Sequence, residues 1–303
     1  MQRIMQNASS SKIYCAILLL LFTITGCASG AANHAQLTHL ANTVSTNQMH
    51  KETLIRNICY RANYPLCIGD IYNPESVSTA RPAVIVIHGG AWRAGKKEDF
   101  DATAASMTLM RENFVVFNIN YRLTPDGEFP NNVEDVKHAI AYLRKNAVKY
   151  SVDDRRIGVF GTSAGGHLAL MAAYAPNSTF GIKEKNMVKA VVAFCPLTDL
   201  KQMEAAFVVQ YIGCMAEQCK DVWNKASPVT YVQTSVPTLL VHGDRDRTVP
   251  FQQSAQLVNL LKLNHTKVEM LEFPNSDHNF SVISGEERIK SSDAMVKFFK
   301  ENL

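Results

Sequence analysis

The stretch that most restricts the fold is RIGVFGTSAGGHLALMAAYA, residues 156–175. RIGVF is a short apolar run that reads as a buried strand, LALMAAYA reads as a helix, and only GTSAGGH separates them. Gly161 and Gly165 bracket Ser163 as G-x-S-x-G. A strand that turns so sharply into a helix needs positions without a Cβ, and the bend lifts the serine above the sheet. Strand followed directly by helix is also the unit from which parallel sheets are built.

The rest of the chain repeats this grammar. Strand-like runs are AVIVI (83–87), FVVFNI (114–119), VKAVVAF (188–194), TLLVH (238–242) and VEMLEF (268–273), mostly continuous in the way a doubly covered parallel sheet requires. LCIGDIY fits an antiparallel edge strand. Val133, Val136, Ile140, Leu143 and Ala147 recur at helical spacing, as do Ile289, Val296, Phe299 and Leu303. The expected class is α/β, a mostly parallel central sheet with helices on both faces. Residues 196–235 are too long for an ordinary connection between strands and predict a small cap. The domain proper is expected over 61–303.

The N-terminus reads as an export signal. Arg3 and Lys12 precede the apolar run Ile13 to Ile24, which is shorter than the roughly 20 residues a membrane-spanning helix needs. Ile24-Thr25-Gly26-Cys27 resembles a lipobox, so residues 1–26 are expected to be cleaved and Cys27 lipidated; cleavage at a small-residue site further on is the alternative. Residues 27–60 would be a tether and leading arm. The implied location is the outer membrane or periplasm of a bacterium, with membrane contact only through the lipid. Loss of Arg3 and Lys12 lowers the formal charge from +4 to +2, which leaves no electrostatic basis for nucleic-acid binding. In an exported chain, Cys59 with Cys67 and Cys214 with Cys219 are candidate local disulfides. Cys195, after the run AVVAF, reads as a buried thiol.

Serine at its ordinary pKa needs a base, and the base an orienting carboxylate. His278 follows the last expected strand, whereas His265 precedes it and His88, His167 and His242 are placed for local roles. Asp244 and Asp246 both follow TLLVH. Asp246, further into the turn, is favoured, and Asp244 reads as a turn residue bonding its own backbone. A second feature needs the same resolution. Gly90, Gly95 and Lys96 fit the phosphate loop G-x-x-x-x-G-K, but Lys97 stands where that loop needs Ser or Thr. His88-Gly89-Gly90-Ala91-Trp92 instead suits an oxyanion hole, supplying one or more N–H groups beside that of Ala164, while Trp92 packs beneath the loop and Lys96 lies on a solvated turn.

Together HGGAW, NYRLTPDGEFP (120–130), GTSAGGHLAL (161–170), HGDRDRTVP (242–250) and Asp277-His278-Asn279-Phe280 resemble the α/β-hydrolase superfamily. Within it they are most similar to hormone-sensitive-lipase-like esterases and bacterial acetyl-xylan and feruloyl esterases. The resemblance spans residues 66–303. It implies Ser163 as nucleophile, Asp246 as orienting acid, His278 as base, N–H groups of Gly90, Ala91 and Ala164 as the oxyanion hole, and no metal or organic cofactor. Ala91 and Thr162 stand where lipase-like members commonly have glycine and aspartate, which is more similar to polysaccharide-esterase and kynurenine-formamidase-like members and loosens the link to lipids. The small cap is what favours esters of short acids, with small-molecule or glycan esters as the expected substrates. Amidase, formamidase or peptidase chemistry on the same scaffold, or a binding role without catalysis, are the rival expectations.

Overall fold

In a computed structural model of the protein, residues 53–74, 79–183, 188–203, 205–280 and 284–303 are described. The signal region 1–26, Cys27 and most of the arm lie outside them. Eight strands form one sheet: β1 (Thr53–Cys59), β2 (Ile68–Asn73), β3 (Arg81–Ile87), β4 (Val115–Ile119), β5 (Val152–Thr162), β6 (Ala190–Phe194), β7 (Thr238–Gly243) and β8 (Val268–Phe273). Their order is β1-β2-β4-β3-β5-β6-β7-β8, and only the β1/β2 and β2/β4 pairs are antiparallel.

Because successive side chains of a strand face opposite sides, β3 feeds two cores. Ala83, Ile85 and Ile87 join one apolar cluster, and Val84 and Val86 the other. The first is covered by α2 (Asn131–Lys145), α3 (Ala164–Tyr174) and α6 (Gln252–Leu263), through Val136, Leu168 and Leu257 among others. The second is covered by α1 (Phe100–Arg111) and α7 (Gly285–Asn302), through Leu109 and Phe299. Burial on both faces is why β3 to β7 read as unbroken apolar runs rather than alternating ones. Helix α3 is buried almost all round, because the excursion after β6, with α4 (Ala206–Ile212) and α5 (Lys220–Lys225), covers its outer side.

Three sequence expectations are corrected. The sheet begins at Thr53, inside the expected arm 27–60, and β2 is therefore an inner strand with β1 at the edge. Nearly every β1 side chain is exposed, so no apolar periodicity announced it, and its strand character rests on backbone pairing with β2. Ile289, expected on the packed face of the last helix, is 61% exposed, since burial there starts at Ser291. Cys59 and Cys67 are both free, one exposed and one buried. Cys59 pairs opposite Ile68, so Cys67 is one residue out of register and its side chain goes to the other face. Cys214 and Cys219 are joined, closing the turn between α4 and α5.

Candidate active site

Parallel strands bring their carboxyl ends to one edge, where open α/β sheets place their sites. Ser163 leaves β5 with φ 54° and ψ −120°, a backbone conformation in which non-glycine residues are rare, and its N–H donates to Phe194 O at 2.7 Å. The flanking glycines explain how this bend closes. A Cβ on Gly161 would strike the Gly165 carbonyl, and one on Gly165 would strike the carbonyls of Ile87 and His88. The start of α3 thus sits directly on the end of β3.

Ser163 Oγ lies 2.9 Å from His278 Nε2, and His278 Nδ1 lies 2.6 Å from Asp246 Oδ2. Three chain segments far apart in sequence converge into one hydrogen-bonded line. Asp246 is buried, and its Oδ1 accepts the N–H groups of Thr248 and Val249, each at 2.8 Å. Burial alone would raise its pKa. Hydrogen bonds from His242 and His278 and from the Val249 amide outweigh that penalty and hold the carboxyl well below its ordinary range. It is an anion at neutral pH, suited to keeping Nδ1 of His278 protonated and Nε2 free to accept from the serine.

Asp244 does not face His278. Its Oδ1 accepts the Asn275 N–H at 2.6 Å, so it braces the loop that carries His278 rather than bonding its own turn as expected. Two further neighbours of Asp246 escaped the sequence reading. Nε2 of the fully buried His242 lies 3.2 Å from Asp246 Oδ2 and 2.9 Å from Val249 O, while Nδ1 meets Ser254 Oγ at 2.7 Å. Two acceptors at Nε2 require that nitrogen to carry the proton. The only available signal was its place at the end of β7, four residues before Asp246. Cys195 follows β6 with φ 45°, and its thiol is pushed up by burial and by the adjacent Asp246 carboxylate. Among the described residues, Cys195, Asp246 and His278 are the group able to offer three metal ligands, within 4.8 Å of one another.

The loop after β3 lies beside Ser163. Gly90, Ala91 and Trp92 have φ of 114°, 52° and 58°, and Gly90 O accepts from the amides of Arg93 and Ala94. Among the described residues none accepts from the amides of Gly90 or Ala91, and Ala164, as first residue of α3, has no acceptor within its own helix. These N–H groups are the ones expected to face an oxyanion. Trp92 is fully buried, stacked on Tyr211 at 4.0 Å and edge-on to His167 at 5.0 Å, which seats the loop on the excursion after β6. At the far end of the loop Lys96 is exposed, as expected of a solvated turn, and its N–H donates to Asp99 Oδ2 at 2.9 Å, but the next residue is not exposed. Lys97 is 2% exposed, its Nζ bonded to Asp70 at 3.1 Å and to Glu98, and its backbone N–H to Asn120 Oδ1 at 2.6 Å. Where a phosphate loop would carry Ser or Thr, this residue ties the loop to β2 instead.

The sheet and the hydrogen-bonded line Ser163–His278–Asp246 at its carboxyl edge together define a protein of the α/β-hydrolase fold. The chain belongs to the BD-FAE family, whose model matches residues 69–261. It is similar to esterase LipC of Mycobacterium tuberculosis, 28% identical over 268 residues, which cover 83% of this chain and 66% of LipC. Among solved structures, a truncated carbohydrate esterase from gut microbiota superposes with TM-score 0.73 at 26% identity, covering 84% of this chain and 98% of that one. A bifunctional GH43-CE protein of Bacteroides eggerthii also gives TM-score 0.73 at 26% identity, covering 82% of this chain and 38% of that one. The chain spans 54% to 66% of the length of the mycobacterial relatives it matches.

Proposed function

We propose that the protein is a serine carboxylic-ester hydrolase acting on short-chain acyl esters, with acetylated or feruloylated glycans as the natural substrate class. The observation that carries this reading is the line Ser163–His278–Asp246, at 2.9 and 2.6 Å, ending on a serine held at a strained turn. His278 Nε2 takes the Ser163 proton as Oγ attacks the ester carbonyl. The resulting oxyanion is met by the N–H groups of Gly90, Ala91 and Ala164; one such donor is worth about 3 to 4 kcal/mol in the transition state. His278 then gives its proton to the departing alcohol oxygen, leaving an acyl group on Ser163. Water, deprotonated by His278 in turn, attacks the acyl carbon and releases the acid and free Ser163.

The substrate class has weaker but concordant support. The excursion over α3 holds only short helices, α4 of 7 and α5 of 6 residues, which favours short acyl groups. Two structural relatives are described as carbohydrate esterases or as carrying CE activity beside GH43. Export and anchoring through Cys27 belong to the same proposal, because polymeric glycans are met outside the cytoplasm.

The test is hydrolysis of p-nitrophenyl esters of rising acyl length by the wild type and Ser163→Ala. Acetate and butyrate should be cleaved, with rates fading for long chains, and the variant should lose all but background activity. Equal inactivity of both folded proteins on every ester would sink the esterase reading and turn attention to amides, formamides or a binding role.

A further inference from the structure

A cavity of about 490 Å³ is lined by none of the triad residues and none of the oxyanion-loop residues. It is lined by Tyr64, Pro65 and Leu66 from the turn between β1 and β2, by Arg122 and Asp126 from the segment between β4 and α2, and by Asn131 at the start of α2. The segment is tied to the catalytic loop by the Thr124 N–H, which donates to Trp92 O at 2.8 Å. We propose that this cavity is a glycosyl-binding subsite that holds a neutral sugar unit of the substrate away from the scissile ester. The link to substrate rests on the esterase reading above, whereas the binding itself does not.

The argument begins with Arg122. Its guanidinium is 9% exposed; Nε and Nη2 bond the fully buried Asp135 at 2.8 and 2.9 Å, and Nη2 also bonds Asn131 O at 2.8 Å. Among the described residues, no acceptor meets Nη1. Nη1 is not sealed from solvent, so on the cavity wall this edge of the fork is free to donate to an oxygen acceptor of a ligand. The guanidinium groups of Arg122 and Arg61 both lie over the Tyr64 ring, 4.2 and 4.3 Å from its centroid, which holds the ring and its hydroxyl in place at the cavity.

Charge decides which oxygen-rich ligand fits. Arg61 and Arg122 are answered by Glu134 and Asp135. Asp126 then adds an exposed carboxylate at the cavity, which disfavours an anionic guest and accepts from hydroxyl groups. Leu66, 60% exposed, and the exposed Pro65 supply apolar surface for the C–H face of a pyranose. Donor, acceptor and apolar wall within one concavity match a polyhydroxylated ring, and the volume falls in the roughly 300 to 1,000 Å³ range of small-molecule sites.

Calorimetric titration of the protein with unesterified xylo-, cello-, manno- and galacto-tetrasaccharides tests the proposal. At least one should bind, and Leu66→Ala and Asp126→Ala should each weaken that binding about tenfold. Arg122 is a poor probe, because removing it would strand Asp135; the two exposed positions avoid that difficulty. Ser163→Ala should bind like the wild type. No binding by any tetrasaccharide, or wild-type affinity in both cavity variants, overturns the subsite. Failure of ester hydrolysis with this binding pattern intact would overturn only the esterase reading.

Discussion

His242 and His278 approach the same carboxylate oxygen, Asp246 Oδ2, at 3.2 and 2.6 Å. One histidine reaches the serine; the other is sealed in the core between Ser254 and Val249. Asp246 Oδ2 is therefore held by a second histidine besides its catalytic partner, and the position of His278 depends on both contacts.

Replacing His242 should consequently damage turnover more than binding. His242→Leu, which removes the N–H, is expected to lower kcat on p-nitrophenyl acetate about 10- to 100-fold, the cost of one hydrogen bond to a charged group, with KM little changed. His242→Gln keeps an amide donor and should recover part of the loss. An unchanged kcat in a folded His242→Leu protein would show that the two amides at Oδ1 hold Asp246 unaided.

The two aspartates after β7 should separate cleanly. Asp246→Asn leaves shape intact but removes the anion that fixes the His278 tautomer, so kcat should fall about 10⁴-fold. Asp244→Asn weakens only the brace at Asn275 and should cost about tenfold or less. Steady-state kinetics of the pair, with fluorophosphonate labelling of Ser163 as a second readout, checks the assignment; comparable losses from both would contradict it.

Stability should decline on acidification before the carboxylates titrate. His167, buried beneath Ser163, has its pKa lowered from 6.5 to about 4 by burial. Nε2 meets Ala226 O at 2.8 Å, while Nδ1 has no partner among the described residues. The folded form disfavours the proton that the unfolded chain accepts, so this contribution is complete above about pH 6.5 and is lost as pH falls toward about 4, amounting to about 3 kcal/mol. Asp246 acts in the same direction at lower pH: its depressed carboxyl favours the fold above about pH 4 and stops doing so as it protonates. Denaturant titrations at several pH values should show the first decline in wild type and a flatter profile in His167→Gln.

Much of this was legible because it is local. A G-x-S-x-G between a strand and a helix fixes its own turn, since a Cβ at residue 161 or 165 would meet backbone. Unbroken apolar runs mark β3 to β7, because both faces of each are covered. His278 stood alone after the last strand. These features need only neighbours along the chain, and the sequence by itself determined the serine, the histidine and the mostly parallel sheet, whereas the order of its strands came from the structure.

Other features depend on contacts between distant segments, and only the tertiary structure decided them. Asp246 rather than Asp244 meets His278 because of where two loops converge. His242 joins the site because the end of β7 points into the core beside Asp246. Lys97 becomes a buried clamp only where β2 supplies Asp70, and Cys59 misses Cys67 by one residue of strand register. Spacing along one chain carries no record of such meetings; they are set by packing, where a shift of one residue sends a side chain to the other face of the sheet.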